Sequence, residues 1–285
     1  MSVGVLVALL SAFFSAGRES LRKYVSTDFS SVEIGFIGQV YGTIVLFPFA
    51  AWIYLQNGFS LTPGVVFAAI ISGAVVLSTT YIYIEAMRIS DISVTEPLRQ
   101  TTPIFVALLE PLILNIGLEI SIVGAAVLGG IGSYIMVSKD SMKEPIRNIK
   151  NKGALMALLV AFIFSIWAIA SRFGATNTNP LLFTYLTYIF SLVGFGAWKS
   201  RRSETIEIKN YFRKDMFALG TVTAASAVIG IYAYSLLSAS EVTVIKQTSG
   251  IFGVLIGGRF FKETDIVRKI VGAVIIVSGV VLVAI

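Results

Sequence analysis

Ten apolar runs, each separated from the next by charge, Gly, Pro or Asn, constrain what this chain can fold into more than any other feature. They fall at Val3 to Gly17, Val32 to Tyr54, Val65 to Met87, Ile92 to Leu114, Ile120 to Val137, Gly153 to Ala170, Leu181 to Trp198, Met216 to Leu237, Val242 to Phe261 and Ile266 to Ile285. A helix needs roughly 20 mostly apolar residues to cross about 30 Å of hydrocarbon. In lipid no backbone amide can go unpaired, and these runs are too long and too uniformly apolar for barrel strands, so they read as helices. The expected fold is all-α and integral to the membrane, with ten transmembrane helices. Of the 285 residues 56% are hydrophobic and 13% charged, and a chain of that balance keeps little for a water-soluble domain. The first run has no basic stretch ahead of it and further spans follow closely, so it reads as a crossing and not as a cleaved signal.

The basic residues mark the connections. Of the 22 Lys and Arg, all but Arg172 and Lys246 lie in odd-numbered connections or at the helix ends beside them. The cytoplasmic bias of Lys and Arg then puts those connections inside and both termini outside. The net charge of +6 is read as a topology signal, because no aromatic-interleaved basic patch offers itself to nucleic acid. The chain has neither Cys nor His, which removes disulfides, thiol nucleophiles, His-based triads and most transition-metal sites. No catalytic residue, metal or cofactor is expected, and the chain is not read as an enzyme. Its expected setting is the cell membrane, plasma or inner, as a monomer or homodimer with the bilayer and a small-molecule substrate as partners.

The second half of the chain repeats the first. Arg99-Gln100-Thr101-Thr102-Pro103-Ile104-Phe105 matches Lys246-Gln247-Thr248-Ser249-Gly250-Ile251-Phe252 at an offset of 147, a number that follows from the residue numbering. Ile84, Ala86 and Ser93 correspond in the same way to Ile231, Ala233 and Ser240, and Phe14-Ser15 is echoed by Phe164-Ser165. The expected division is a first five-helix repeat at 1–138, a charged connection at 139–152 and a second five-helix repeat at 153–285. Five crossings per copy is an odd number, so the two copies enter the membrane in opposite directions. Inverted repeats of this kind place a substrate site near the midplane and let one half rock against the other.

On these residues the chain resembles the drug/metabolite transporter superfamily, EamA type. The resemblance covers nearly the whole length and rests on short polar links before runs four and nine (Ile89-Ser90-Asp91-Ile92-Ser93; Ser238-Ala239-Ser240-Glu241), the Pro-Ile-Phe entry at Pro103, and Lys262-Glu263 followed by Gly272 and Gly279. Two departures stand out: Ile116 where the repeat would pair with Glu263, and Gly250 in place of Pro103. The resemblance implies a transporter of two five-helix halves, often an exporter, whose substrates range from amino acids to sugar phosphates and drugs.

Ionisable groups inside spans are costly and therefore candidate sites. Lys246 and Arg99 occupy matching positions, each followed by Gln and Thr, so Gln100, Thr101, Gln247 and Thr248 join them as candidate substrate-binding residues. Two such cations can grip a carboxylate or phosphate, Arg99 as a fork and Lys246 as a point charge; the competing reading is that both snorkel to an interface. Glu96, three residues before Arg99, is placed to pair with it along one helix face. Pro97, Pro103 and Pro111 predict a kink or break in span four. Glu85, Glu96 and Glu110 are the candidates for proton coupling, against a plainer reading as helix-end residues. Tyr81, Trp167, Tyr232 and Tyr234, with Tyr83, are candidate aromatic cavity residues.

The function expected is movement of a small polar or amphipathic metabolite, an amino acid or organic anion by preference, by alternating access in an exporter or exchanger. A proton-coupled exporter of cationic drugs or polyamines is the alternative within transport. A non-transporting protein such as a lipid-handling scaffold is the alternative outside it.

Overall fold

The computed structural model describes residues 2–25, 28–57, 61–90, 95, 98–117, 119–137, 152–202, 212–253 and 266–284. Among them are ten helices and no strand: α1 (Val3–Val25), α2 (Ser31–Asn57), α3 (Pro63–Ile89), α4 (Thr102–Leu114), α5 (Ile120–Val137), α6 (Lys152–Asn177), α7 (Pro180–Arg202), α8 (Lys214–Leu236), α9 (Ala239–Lys246) and α10 (Ile266–Ala284). Six of these, α1, α2, α3, α6, α7 and α8, are long and apolar enough to cross a membrane, whereas α4, α5 and α10 contain shorter apolar stretches. Runs four and nine of the sequence are the ones that differ most from their helices. Each is interrupted at the repeated Gln-Thr step, and part of each lies outside the described residues.

Local chemistry sets the helix ends. Ser30 and Glu33 exchange bonds ahead of α2, with Ser30 N donating to Glu33 Oε2 at 2.8 Å and Glu33 N to Ser30 Oγ at 3.2 Å, a capping box. Thr62 Oγ1 accepts from Val65 N before α3, whose first residue is Pro63, where a missing N–H costs nothing. At the other end of α4, Asn115 takes the left-handed conformation at φ 55° and donates its N–H to Pro111 O, as Asn tolerates better than other side chains with a Cβ.

Between lipid and protein there is little hydrophobic gain, so close packing and internal polar contacts hold helices together. The helices pair as α1 with α8, α3 with α6, α2 with α7 and α5 with α10, while α4 and α9 lie against one another and against α6 and α1 respectively. The α5–α10 pair shows how near the backbones come. A Cβ at Gly132 would stand 2.6 Å from Gly272 O, and one at Gly279 would stand 2.8 Å from Ala125 O, so any larger residue would force the helices apart. Across α1 and α8, Ser15 Oγ and Ser226 Oγ share a hydrogen bond of 3.0 Å. Large apolar side chains such as Leu55, Leu112 and Ile120 stand exposed on the outside, where a bilayer would solvate them.

Candidate functional site: two matched helix breaks

The backbone changes course at Gln100-Thr101 for a reason that can be traced atom by atom. A continuous helix would send the N–H of residue 103 to Arg99 O, but Pro103 has no N–H. The Thr102 hydroxyl substitutes, donating to Arg99 O at 2.7 Å. Ile104 N turns to Thr101 O at 2.9 Å, Thr101 N to Leu98 O at 3.2 Å, and Thr101 Oγ1 also donates to Leu98 O at 2.6 Å. That leaves Gln100 O without its usual intrahelical donor.

The same pattern recurs 147 residues later. Thr248 N donates to Ile245 O at 3.1 Å, Thr248 Oγ1 to the same carbonyl at 2.7 Å, and Ile251 N to Thr248 O at 2.9 Å. No proline stands here, yet Gly250 N turns to Gln247 O at 3.1 Å instead of closing the i−4 bond to Lys246 O. The two breaks meet directly: Gln247 Nε2 donates to the released Gln100 O at 3.1 Å. Gln247 is 2% exposed and its Oε1 has no hydrogen-bond partner. Gly129 of α5 makes room for it, since a Cβ there would overlap Gln247 Oε1.

Each break holds a cation beside the helix that precedes it. The Arg99 guanidinium lies 5.2 Å from the centroid of the Tyr83 ring on α3. Lys246 lies over Gly230 of α8, where a Cβ would stand 3.4 Å from Nζ and 3.0 Å from Ser11 Oγ. Tyr83 and Gly230 are themselves 147 apart, so the two cations rest on corresponding positions. Lys246 Nζ is 6.0 Å from the Trp167 ring centroid, within the reach of a cation–π attraction, and it forms no ion pair among the described residues. Trp167 stacks on Phe164 at 4.7 Å and meets Tyr234 edge-on at 5.8 Å. Its indole Nε1 has no acceptor among the described residues. On α1, Glu19 is bound by Arg18 at 2.8 Å and Arg22 at 3.7 Å, and it interacts electrostatically with both Arg99 and Lys246.

The remaining candidates are dispersed. Tyr81 is 38% exposed and its ring sits 4.6 Å from Trp198; Tyr232 is 47% exposed on α8, whereas Tyr234 two residues on is fully buried with an unpartnered hydroxyl. Glu85 is half-buried on α3. Glu96 and Pro97 lie outside the described residues. Glu110 is 1% exposed and lies at the start of α9, accepting from Ala239 N at 2.7 Å and Ser240 N at 2.8 Å. Sequence reasoning did not single out Glu19, Ser11 or Gly230, and it read Gly129 only as a glycine that lets helices pack closely. The only signal for Glu19 was an acid set among Arg18, Arg22 and Lys23 at a helix end, and for Ser11 and Gly230 there was none, because only the fold shows what they face.

Six membrane-length apolar helices and a charged interior at two helix breaks define the class: a multi-pass membrane protein. The chain belongs to the EamA-like transporter family, whose model matches residues 2–138 and 151–285, and it is a membrane transporter. It is similar to a protein of Archaeoglobus fulgidus (strain ATCC 49558 / DSM 4304 / JCM 9628 / NBRC 100126 / VC-16) described as an uncharacterized transporter, at 26% identity over 203 residues covering 70% of this chain and 69% of that one. A solved structure described only as a crystal structure of a protein shares the fold at a TM-score of 0.75, with 15% identity over 100% of this chain and 99% of the other.

Proposed function

We propose that the protein carries a small anionic or zwitterionic metabolite, an amino acid or organic anion, across the cell membrane by alternating access between two inverted five-helix halves. Those halves are residues 1–138 and 153–285, and the ten helices make ten crossings with the odd-numbered connections in the cytoplasm. The observation that carries this reading is the meeting of the two broken helices at Gln247 and Gln100, with a cation at each break. Helix breaks at membrane depth belong where substrate is bound, because the freed backbone groups need partners that lipid cannot supply.

Packing supports the inversion. Exchanging each helix for the one five places away maps α1–α8 onto α3–α6, α2–α8 onto α3–α7 and α1–α9 onto α4–α6, while α2–α7, α4–α9 and α5–α10 map onto themselves. That is how a two-fold axis running between the halves would relate them. The substrate class follows from what is left unsatisfied. Among the described residues Lys246 forms no ion pair, Glu19 acting on it only at longer range, and the neighbouring Trp167 N–H has no acceptor. A buried donor lacking an acceptor costs roughly 1–3 kcal/mol, and a ligand carboxylate would satisfy both groups at once. Direction is read as export or exchange.

Thermal-shift measurement on the purified protein tests the assignment, since a ligand that binds only the folded state raises the midpoint. Amino acids or organic anions are expected to raise it for the wild type and to leave Lys246→Ala unmoved. Stabilisation by cationic drugs or polyamines alone, unaffected by Lys246→Ala, would overturn the anionic assignment.

A further inference from the structure

The four donors at the start of α9 are all accounted for, and half of them are satisfied from another helix. Ser238 N donates to Glu241 Oε2 at 2.7 Å and Glu241 N to Ser238 Oγ at 3.1 Å, a capping box internal to the helix. The two N–H groups between them, on Ala239 and Ser240, go to the two oxygens of Glu110 from α4, at 2.7 and 2.8 Å, and the Ser240 hydroxyl also donates to Glu110 Oε2. The positive end of a helix and three donors converge on this one carboxyl group. Among the described residues Glu110 meets no basic side chain; α9 itself is its counter-charge.

This contact joins the two halves near one end of the α4–α9 pair, while Gln247 to Gln100 joins them at the breaks. It has no equivalent by sequence. The residue 147 places after Glu110 is Gly257, so the repeat does not carry the acid into the second half. We propose that Glu110 is a gate latch: its grip on the α9 N-terminus closes the substrate path on one face of the membrane. The inference rests on the alternating-access reading. It adds to it the residue that holds that face closed in the resting carrier. By the distribution of Lys and Arg, the connections flanking the α4 C-terminus and the α9 N-terminus are even-numbered and external, so the latched face is the outer one.

The absence of cysteine makes a thiol reporter clean. Thr243, buried on α9 one turn from the latch, is changed to Cys, and a membrane-impermeant maleimide is applied to intact cells and to inside-out vesicles. With Glu110→Gln added, which keeps the shape and removes the charge, labelling from the outer face is expected to rise about tenfold, the effect of losing a charge-assisted bond on an opening equilibrium. Glu241→Gln weakens the capping box without touching α4, so it controls for simple fraying and is expected to label as the parent does. Should Glu110→Gln fail to fold by size-exclusion chromatography, Ser240→Ala removes one of the three donors and is expected to give a smaller outer-face rise. No rise, an equal rise in Glu241→Gln, or a rise confined to the inner face would overturn the latch. Because the assay reads thiol access and not flux, a failed latch leaves the carrier assignment intact, and a failed carrier assignment appears separately as absence of substrate counterflow.

Discussion

Thr102 illustrates how one hydroxyl can matter where another of the same kind does not. It donates to Arg99 O, a carbonyl whose amide partner is denied by Pro103, whereas the half-buried Thr221 makes a solvent-facing bond to Phe217 O, which the helix amide of Thr221 already serves. Thr102→Val should therefore cost about 1–3 kcal/mol, the cost of an unsatisfied buried carbonyl. Thr221→Val should be neutral within about 0.5 kcal/mol. Chemical denaturation of both variants in detergent checks the contrast, and equal losses would contradict it. Gly129→Ala is the second residue-scale test. Its Cβ would displace Gln247, so the bond from Gln247 to Gln100 O should be lost, with about 1 kcal/mol of stability and a steep fall in transport. Gly124→Ala on the same helix meets nothing within 4 Å and should leave both unchanged.

At the scale of the element, the sequence made some features plain and hid others. The apolar runs gave the helices, and the prolines of span four predicted a kink or break in it without placing it at Gln100-Thr101. The second break was harder to see, because no proline marks it; its cause is the Thr248 hydroxyl and the shift of Gly250 N to Gln247 O. Which tyrosine of α8 faces inward was illegible. That helix is apolar on every side, so periodicity gives no inner stripe, and only packing separates exposed Tyr232 from buried Tyr234. Glu110 was visible as an acid at depth, but its partners lie 129 and 130 residues away and depend on how α4 meets α9. Arg172 belongs to the same category. Its NH1 donates to Tyr234 O at 2.6 Å and Leu237 O at 2.5 Å, satisfying carbonyls at the C-terminus of α8, where a cation is also favoured by the helix dipole. Arg172→Met should destabilise by about 2–3 kcal/mol, read as a lower unfolding midpoint. An unchanged midpoint would mean that those carbonyls find other donors.

For the molecule as a whole, the central claim is that two similar halves hold one anionic substrate between the cations of their broken helices. Fold and family establish a membrane transporter; the proposed substrate class rests on Lys246, which forms no ion pair among the described residues, and on the Trp167 N–H, which has no acceptor among them. The decisive measurement is counterflow in proteoliposomes loaded with unlabelled amino acids or organic anions, following entry of a labelled trace of the same compound. Saturable counterflow is expected for at least one such compound, abolished in Lys246→Ala and strongly reduced in Arg99→Ala. Counterflow of cations alone, or anion counterflow that persists undiminished without Lys246, would contradict it.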